Sequence, residues 1–240
     1  MSLPSWVPGH ALTRMHIFYL HGFASSARSS KARFFTEKLA ALHKTLQCPD
    51  FNEPDFSTLT VTRMIGQVDA GMSLLPPGPV ALIGSSLGAF VAWHAAARAA
   101  AHAGANGQAN THPITRLVLL APALDFGANR MRELGEDGLA HWKATDALEF
   151  FHYGYGEPRT VRYALYEDAQ QYDSRSAKVT IPTLVFQGER DASVDPAYVR
   201  DFFATRPGMT LHMLDDDHQL LGSLDRIWRE TATFLDLAEA

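Results

Sequence analysis

The chain has 240 residues, of which 46% are hydrophobic and 20% are charged, and its formal net charge is −5 at pH 7. This length and composition suffice to bury one sizeable core, so we expect residues 1–240 to form a single domain. An acidic chain has no electrostatic reason to approach phosphate backbones, which argues against nucleic acid as a partner.

Cysteine usage and hydropathy favour a cytoplasmic protein without a membrane span. Cys48 is the single cysteine, so no intrachain disulfide can form, as is usual in a reducing compartment. No apolar run approaches the roughly 18 residues that a membrane helix requires. Residues 1–14 contain two prolines and lack the continuous apolar core of a signal peptide.

The N-terminal half alternates between strand-like and helix-like stretches. HIFYL (His16–Leu20) predicts a strand, and residues 31–46 carry apolar side chains at helical spacing. A second helix is expected before the prolines at 76–79, with Ser57 as a plausible N-cap. VALIG (residues 80–84) predicts a buried strand, and the alanine-rich stretch after it favours a helix.

The C-terminal half resumes this alternation after an interruption. RLVLLAPAL (residues 116–124) predicts another strand, but residues 125–178 are rich in aromatic and charged side chains and lack a clear strand. We expect this segment to form several short helices and to be an inserted lid. Two further strands (TLVFQG at 183–188 and TLHML at 210–214) and two helices follow. The sequence predicts an α/β fold with a mainly parallel sheet between two helical layers.

The five residues GSSLG (84–88) stand between a predicted strand and a predicted helix and match the pattern G-x-S-x-G. This pattern places a serine on a tight turn, where the residues two before and two after it must be small. Gly84 and Gly88 flank Ser86 at those distances, whereas larger residues flank Ser85. The spacing therefore selects Ser86 as the candidate nucleophile, at a helix N-terminus that favours negative charge.

A serine hydroxyl needs a general base, usually a histidine that is oriented by a carboxylate. Among eleven histidines, His218 lies directly after the last predicted strand, where such a base is expected. Asp191 follows the TLVFQG strand and is the preferred carboxylate. Asp195, which is typical of a helix N-cap, and Asp125, which follows an earlier strand, remain alternatives.

The other histidines fit the role of the base less well. His212 lies inside a predicted strand, His94 and His102 lie on the helix after Ser86, and His21 precedes a glycine in a loop.

Two backbone N–H groups are expected to bind the oxyanion. One belongs to Leu87, directly after the nucleophile, and the other to Phe23, where Gly22 permits a close approach of the backbone. Aromatic residues of the 125–178 segment could line an acyl pocket: Phe126, Trp142, Phe150, Phe151, Tyr153, Tyr155, Tyr163 and Tyr166.

The stretches IFYLHGFASSARSSKA (17–32), CPDF (48–51) and LIGSSLGAF (82–90) resemble the small bacterial YqiA-like esterases of the α/β-hydrolase superfamily. The resemblance to the superfamily covers nearly the whole chain, and the order Ser86, Asp191, His218 is the order of its triad. The resemblance to the YqiA-like esterases implies a hydrolase of carboxylic esters or acyl thioesters. The 125–178 segment, in contrast, is more similar to the lid of larger esterases.

We expect a serine hydrolase that acts on small-molecule esters or thioesters through an acyl-enzyme. Amide, peptide or C–C cleavage by the same triad is the alternative, because a fold and a triad do not fix the substrate. A binding protein on this scaffold is a third reading that an intact triad disfavours. We expect no metal and no cofactor, since H-E-x-x-H, G-x-G-x-x-G and P-loop motifs are absent and one cysteine cannot build a thiolate cluster.

Overall fold

The computed structural model describes residues 15–105 and 110–237, so the interpretation of residues 1–14 lies outside the described residues. In chain order the strands are β1 (His16–Leu20), β2 (Leu46–Gln47), β3 (Val80–Ser85), β4 (Ile114–Leu120), β5 (Leu148–His152), β6 (Glu157–Val161), β7 (Thr183–Gly188) and β8 (Met209–Leu214). Six of them form one sheet in the order β2-β1-β3-β4-β7-β8, with every neighbouring pair parallel. The other two form an antiparallel hairpin.

Seven α-helices occur in the described ranges and surround the sheet. They are α1 (Ser30–Ala41), α2 (Val61–Ser73), α3 (Leu87–Ala105), α4 (Phe126–Thr145), α5 (Ala164–Ala169), α6 (Pro196–Ala204) and α7 (Leu224–Phe234), and two short 3-10 helices lie at Phe56–Thr58 and Leu221–Ser223. Within the part of the chain that is described, no helix is long and apolar enough to cross a membrane.

The central strands of the parallel sheet have two buried faces, and alternate side chains pack into separate clusters. In β1, Ile17 and Tyr19 pack with α1 and α7, whereas Phe18 and Leu20 pack with α2, α3 and α6. Alternation of this kind follows from the twofold period of a strand, and burial on both faces is typical of a parallel sheet. The predicted α/β fold, with a mainly parallel sheet between helical layers, is therefore confirmed.

The segment between β4 and β7 differs from its prediction. The sequence predicted helices alone in residues 125–178, but the structure places the β5–β6 hairpin between α4 and α5. Helix α4 is itself interrupted at Gly135, whose φ is +65°. The fully buried Trp142 of α4 donates its indole N–H to the carbonyl of Val161 in β6, at 2.9 Å, and so ties the helix to the hairpin.

Three element boundaries also differ from their predictions. Helix α1 ends at Ala41 rather than near residue 46, because the chain turns there and Leu46 enters the edge strand β2. Ser57 lies inside a 3-10 helix, and the N-cap of α2 is Thr60, which accepts from Arg63 N–H at 3.1 Å. The last α-helix begins at Leu224, after a 3-10 turn.

Candidate active site

Ser86 occupies the turn between β3 and α3 with a φ of +53°. A residue other than glycine in this left-handed region costs roughly 1–3 kcal/mol, so its surroundings must hold it there. The Ser86 N–H donates to the carbonyl of Leu120 at 2.9 Å, and the Ser86 carbonyl accepts from Ala89 and Ala123 N–H at 3.0 and 3.3 Å. The turn is thereby fastened to both β4 and α3.

The two glycines of the motif are required by close backbone contacts. A Cβ at Gly84 would lie 2.6 Å from Ala89 Cα, and a Cβ at Gly88 would lie 2.7 Å from the carbonyl oxygen of His21. Both distances are far inside van der Waals contact, so neither position has room for a side chain. The small-residue rule that selected Ser86 therefore has a direct steric cause here.

The two adjacent serines have different surroundings. Ser86 is half-buried, and its Oγ lies 3.1 Å from His218 Nε2. Ser85 is 3% exposed, and its side chain hydrogen-bonds to Tyr19. Burial raises the pKa of the Tyr19 phenol, and the hydrogen bonds with Ser85 and Ser29 partly oppose this rise. Ser85 therefore faces the core beneath the turn, while Ser86 faces the histidine.

His218 lies in the loop after β8, and its imidazole lies between the serine and an aspartate. Its Nδ1 is 2.8 Å from Asp191 Oδ2, and its Nε2 is 3.1 Å from Ser86 Oγ. An ionised carboxylate can only accept, so the ring proton lies on Nδ1 and the Nε2 lone pair faces the serine hydroxyl. The three predicted residues thus form one continuous chain of hydrogen bonds.

Asp191 is held ionised by its partners. Its Oδ1 accepts from the N–H groups of Ser193 and Val194, both at 2.8 Å, and its Oδ2 accepts from Gln187 Nε2 at 2.9 Å. Burial pushes the pKa of Asp191 upward, but its hydrogen bonds, above all the one from His218, outweigh the burial and hold the pKa below its usual value. The carboxylate is therefore charged at neutral pH and can orient the imidazole.

Gln187 is a site residue that the sequence reasoning missed. It is the penultimate residue of β7, four residues before Asp191, and its side chain is fully buried. Its amide N–H donates to the same Asp191 oxygen that contacts His218. A polar residue at the end of a buried strand was the available signal.

The alternative carboxylates have other positions. Asp195 is the N-cap of α6 and accepts from Ala197 N–H at 2.8 Å, as its sequence context predicts. Asp125 occupies the residue before α4. The carboxylate that His218 contacts is Asp191.

The other histidines that were weighed as a base are engaged elsewhere. His212 lies 2.7 Å from Glu230, and the buried His94 lies 3.0 Å from the hydroxyl of Ser174. Burial lowers the pKa of His94 to about 4. The His102 ring contacts a backbone carbonyl of its own helix.

The backbones of both predicted oxyanion donors run beside Ser86. A Cβ at Gly22 would lie 3.3 Å from Ser86 Cβ, so the loop that carries Phe23 passes directly against the turn. Leu87 is the first residue of α3, and the first N–H groups of a helix have no acceptor within it.

Two of the eight aromatic residues proposed for an acyl pocket place their rings near the ring of Phe23. The rings of Phe126 and Phe150 are centred 6.3 and 4.8 Å from the ring of Phe23. They form an apolar wall next to one predicted oxyanion donor.

The remaining aromatic residues have other roles. Trp142 packs against Tyr163 and Tyr166 in the interior of the 125–178 segment. The prediction is wrong for three side chains on the hairpin, which are exposed to solvent: Phe151 (52%), Tyr153 (78%) and Tyr155 (45%). A separate cavity of about 450 Å³ lies between residues 52–57 and the hairpin, and its lining does not include Ser86, Asp191 or His218.

Lys31 is buried against the loop that carries His218. It is 8% exposed, and its Nζ donates to the carbonyl of Gln219, the residue after His218, at 2.9 Å. Burial lowers the pKa of Lys31 to about 8 although Asp217 and two other aspartates oppose the shift. Lys31 therefore anchors the loop at the cost of burying a charge.

The Lys31→Met variant should reveal the free-energy cost of burying the Lys31 charge, through the pH dependence of its stability relative to the wild type. Between pH 8 and the ordinary lysine pKa of 10.5, the unfolded chain binds more protons than the folded one, so the contribution of Lys31 to stability rises with pH. Urea unfolding at pH 7.5 and pH 10 should therefore show wild type gaining stability relative to Lys31→Met. Lys38→Met, on the same helix, is the control, and an unchanged difference for Lys31→Met would contradict the prediction.

The parallel sheet and the Ser86 turn between β3 and α3 have the arrangement of the α/β-hydrolase fold. The sequence profile of the uncharacterised protein family UPF0227 matches residues 16–235, and the chain belongs to this family. No curated protein has a significant match to the chain.

Solved structures with the same fold cover most of the chain at low sequence identity. A protein of Agrobacterium vitis S4, described as a candidate hydrolase, has a TM-score of 0.80 and 22% identity over 92% of this chain and 87% of its own. Mouse alpha/beta hydrolase domain-containing protein 10 has a TM-score of 0.73 and 18% identity over 93% and 90%. Est1E from Butyrivibrio proteoclasticus, solved with ferulic acid, has a TM-score of 0.72 and 17% identity over 95% and 90%.

Proposed function

We propose that this protein is a serine hydrolase that cleaves carboxylic esters or acyl thioesters of small molecules. The observation that carries the proposal is the continuous chain of hydrogen bonds from Ser86 through His218 to Asp191. Each of these residues follows a different parallel strand, and the carboxyl ends of such strands are where open α/β sheets place their active sites.

In the proposed reaction, Ser86 Oγ attacks the acyl carbonyl carbon while its proton passes to His218 Nε2. Asp191 stabilises the imidazolium that forms. The backbone N–H groups of Leu87 and Phe23 bind the developing oxyanion, each contributing roughly 3–4 kcal/mol. His218 then gives its proton to the departing alcohol or thiol, which leaves an acyl group on Ser86.

A water molecule completes the cycle. His218 takes a proton from the water as it attacks the acyl carbon, and returns that proton to Ser86 Oγ when the acid departs. The active centre needs no group beyond these side chains and amides for either half of the reaction.

The substrate class is supported by the surroundings of Ser86 and by the related structures. The apolar wall of Phe126 and Phe150 beside Phe23 suits the hydrocarbon part of an acyl group. The structure of Est1E, which shares the fold of this chain, holds ferulic acid, a carboxylic acid and thus the kind of product that an ester hydrolase releases. We further propose that residues 125–178 act as a lid over the acyl group.

A fluorophosphonate probe tests the nucleophile and a substrate panel tests the class. We expect intact-mass analysis to show one covalent adduct on the wild type, and peptide mass mapping to place it at Ser86. We also expect turnover of p-nitrophenyl esters or acyl-CoA thioesters in preference to matched anilides and peptides. A folded wild type without an adduct would contradict the serine mechanism, and faster cleavage of the anilides would favour the amide alternative.

A further inference from the structure

Residues 22–26, which we call the oxyanion loop, carry the Phe23 N–H of the proposed function and have a strained backbone. Ala24 adopts a φ of +51°, in the left-handed region that residues other than glycine rarely occupy. Such a conformation costs roughly 1–3 kcal/mol and persists only where its surroundings hold it. The loop therefore depends on partners outside itself to keep the Phe23 N–H in one orientation.

Donors from two other segments of the chain hold the carbonyl groups of this loop. The Ala24 carbonyl accepts from the N–H of Tyr153, in the turn of the β5–β6 hairpin, at 2.8 Å. The Ser25 carbonyl accepts from Nδ2 of Asn52 at 2.9 Å. Both bonds fix peptide groups of the loop shortly after Phe23, namely those of the Ala24 and Ser25 carbonyls, and so restrain the backbone that follows the Phe23 N–H.

His152 connects these two donors, because it precedes Tyr153 in the hairpin and hydrogen-bonds to Asn52. Its Nδ1 accepts from the N–H of Tyr155 at 3.1 Å, which leaves the ring proton on Nε2. Nε2 in turn donates to Asn52 Oδ1 at 3.0 Å, and this bond turns the Asn52 Nδ2 group toward Ser25. Burial lowers the pKa of His152 and so favours the neutral ring, which the bond from the Tyr155 N–H to Nδ1 requires.

We propose that His152 and Asn52 are positioning residues, through which the β5–β6 hairpin holds the Phe23 N–H toward the reacting carbonyl. This inference rests on the proposed function. It makes the hairpin of the 125–178 segment a structural part of the oxyanion hole, in addition to any role as a cover.

The test replaces His152 with phenylalanine, which keeps an aromatic ring against Phe56, 4.6 Å away, but removes both ring hydrogen bonds. We expect kcat on a p-nitrophenyl ester to fall about 10-fold with KM within about twofold, because oxyanion donors act on the transition state. The Ki of a trifluoromethyl ketone, whose adduct with Ser86 carries an oxyanion, should weaken by the same factor. Asn52→Ala should have the same effects, and the double variant should be little worse than either single variant.

Two further variants separate positioning from general stability. His152→Gln retains an N–H donor and should recover part of kcat. Phe151→Ala changes an exposed side chain of the same hairpin and should leave kcat and the Ki unchanged. A folded His152→Phe variant with unchanged kcat, or one in which only KM rises, would overturn the proposal.

Hydrogen exchange provides a readout that does not depend on activity. The Tyr153 N–H, which bonds to Ala24, should exchange at least tenfold faster in His152→Phe than in the wild type. An unchanged exchange rate of the Tyr153 N–H would contradict the positioning proposal but not the proposed serine hydrolase activity. A wild type that neither reacts with the fluorophosphonate nor turns over any ester defeats the proposed function, and the positioning proposal falls with it.

Discussion

Replacing Ser86 with alanine is expected to lower kcat by a factor of about 10⁶, the loss observed when a triad nucleophile is removed from a serine protease. The Ser86 Oγ is the atom that His218 Nε2 faces at 3.1 Å, and alanine offers no oxygen for acyl transfer. Steady-state turnover of the best p-nitrophenyl ester, together with intact mass after fluorophosphonate treatment, measures the loss.

Ser85→Ala is the matched control for this experiment, since it removes the same atom from the adjacent residue. Ser85 is buried and hydrogen-bonds to Tyr19 beneath the turn, so its loss should cost about 1 kcal/mol of stability and leave kcat within a few fold. Equal activity of wild type and Ser86→Ala would contradict the nucleophile assignment. Loss of labelling in Ser85→Ala, with the fold intact, would contradict the distinction between the two serines.

The site could be predicted from sequence where its chemistry depends on short local patterns. The turn needs small residues two positions before and after the serine, and this need is visible within five consecutive residues. Gly84 and Gly88 have close backbone contacts that leave no room for a side chain. Asp191 and His218 follow apolar strands, and in a parallel sheet the ends of those strands meet at one edge. Local pattern and sheet geometry together were therefore enough to bring three distant residues to one place.

The hairpin was missed because its strands lack a strong apolar period. LEFFH alternates between half-buried and exposed positions before its buried last residue, His152, and EPRTV is exposed except for its last residue, Val161. The glycines between them resemble helix breaks as much as a strand turn. Strand β2 escaped prediction because two residues are too few to form a pattern.

The contacts of the hairpin with the oxyanion loop could not be predicted from sequence at all. Asn52 and His152 are 100 positions apart and belong to no shared motif. A buried asparagine and a buried histidine become informative only when the fold shows that each satisfies the other. Tertiary packing decides such pairs, and periodicity carries no information about them.

Asp191→Asn is expected to lower kcat by about 10⁴, the loss seen when a triad aspartate is replaced by its amide. The Asp191 Oδ1 accepts two backbone N–H groups, from Ser193 and Val194, so the amide oxygen of asparagine should take that position. The NH₂ group would then face His218 Nδ1 and favour the tautomer with its proton on Nε2. In that tautomer the imidazole donates toward Ser86 and can no longer accept its proton.

Two isosteric variants control for the removal of a nearby charge. Asp195→Asn keeps a good N-cap for α6, and Asp125→Asn changes the residue before α4, so both should retain kcat within a few fold. Comparison of kcat and of the fluorophosphonate labelling rate across the three variants decides among the carboxylates. If Asp195→Asn or Asp125→Asn lost about 10⁴-fold while Asp191→Asn stayed active, the orienting carboxylate would have to be reassigned, and the contact between Asp191 and His218 would have no part in the reaction.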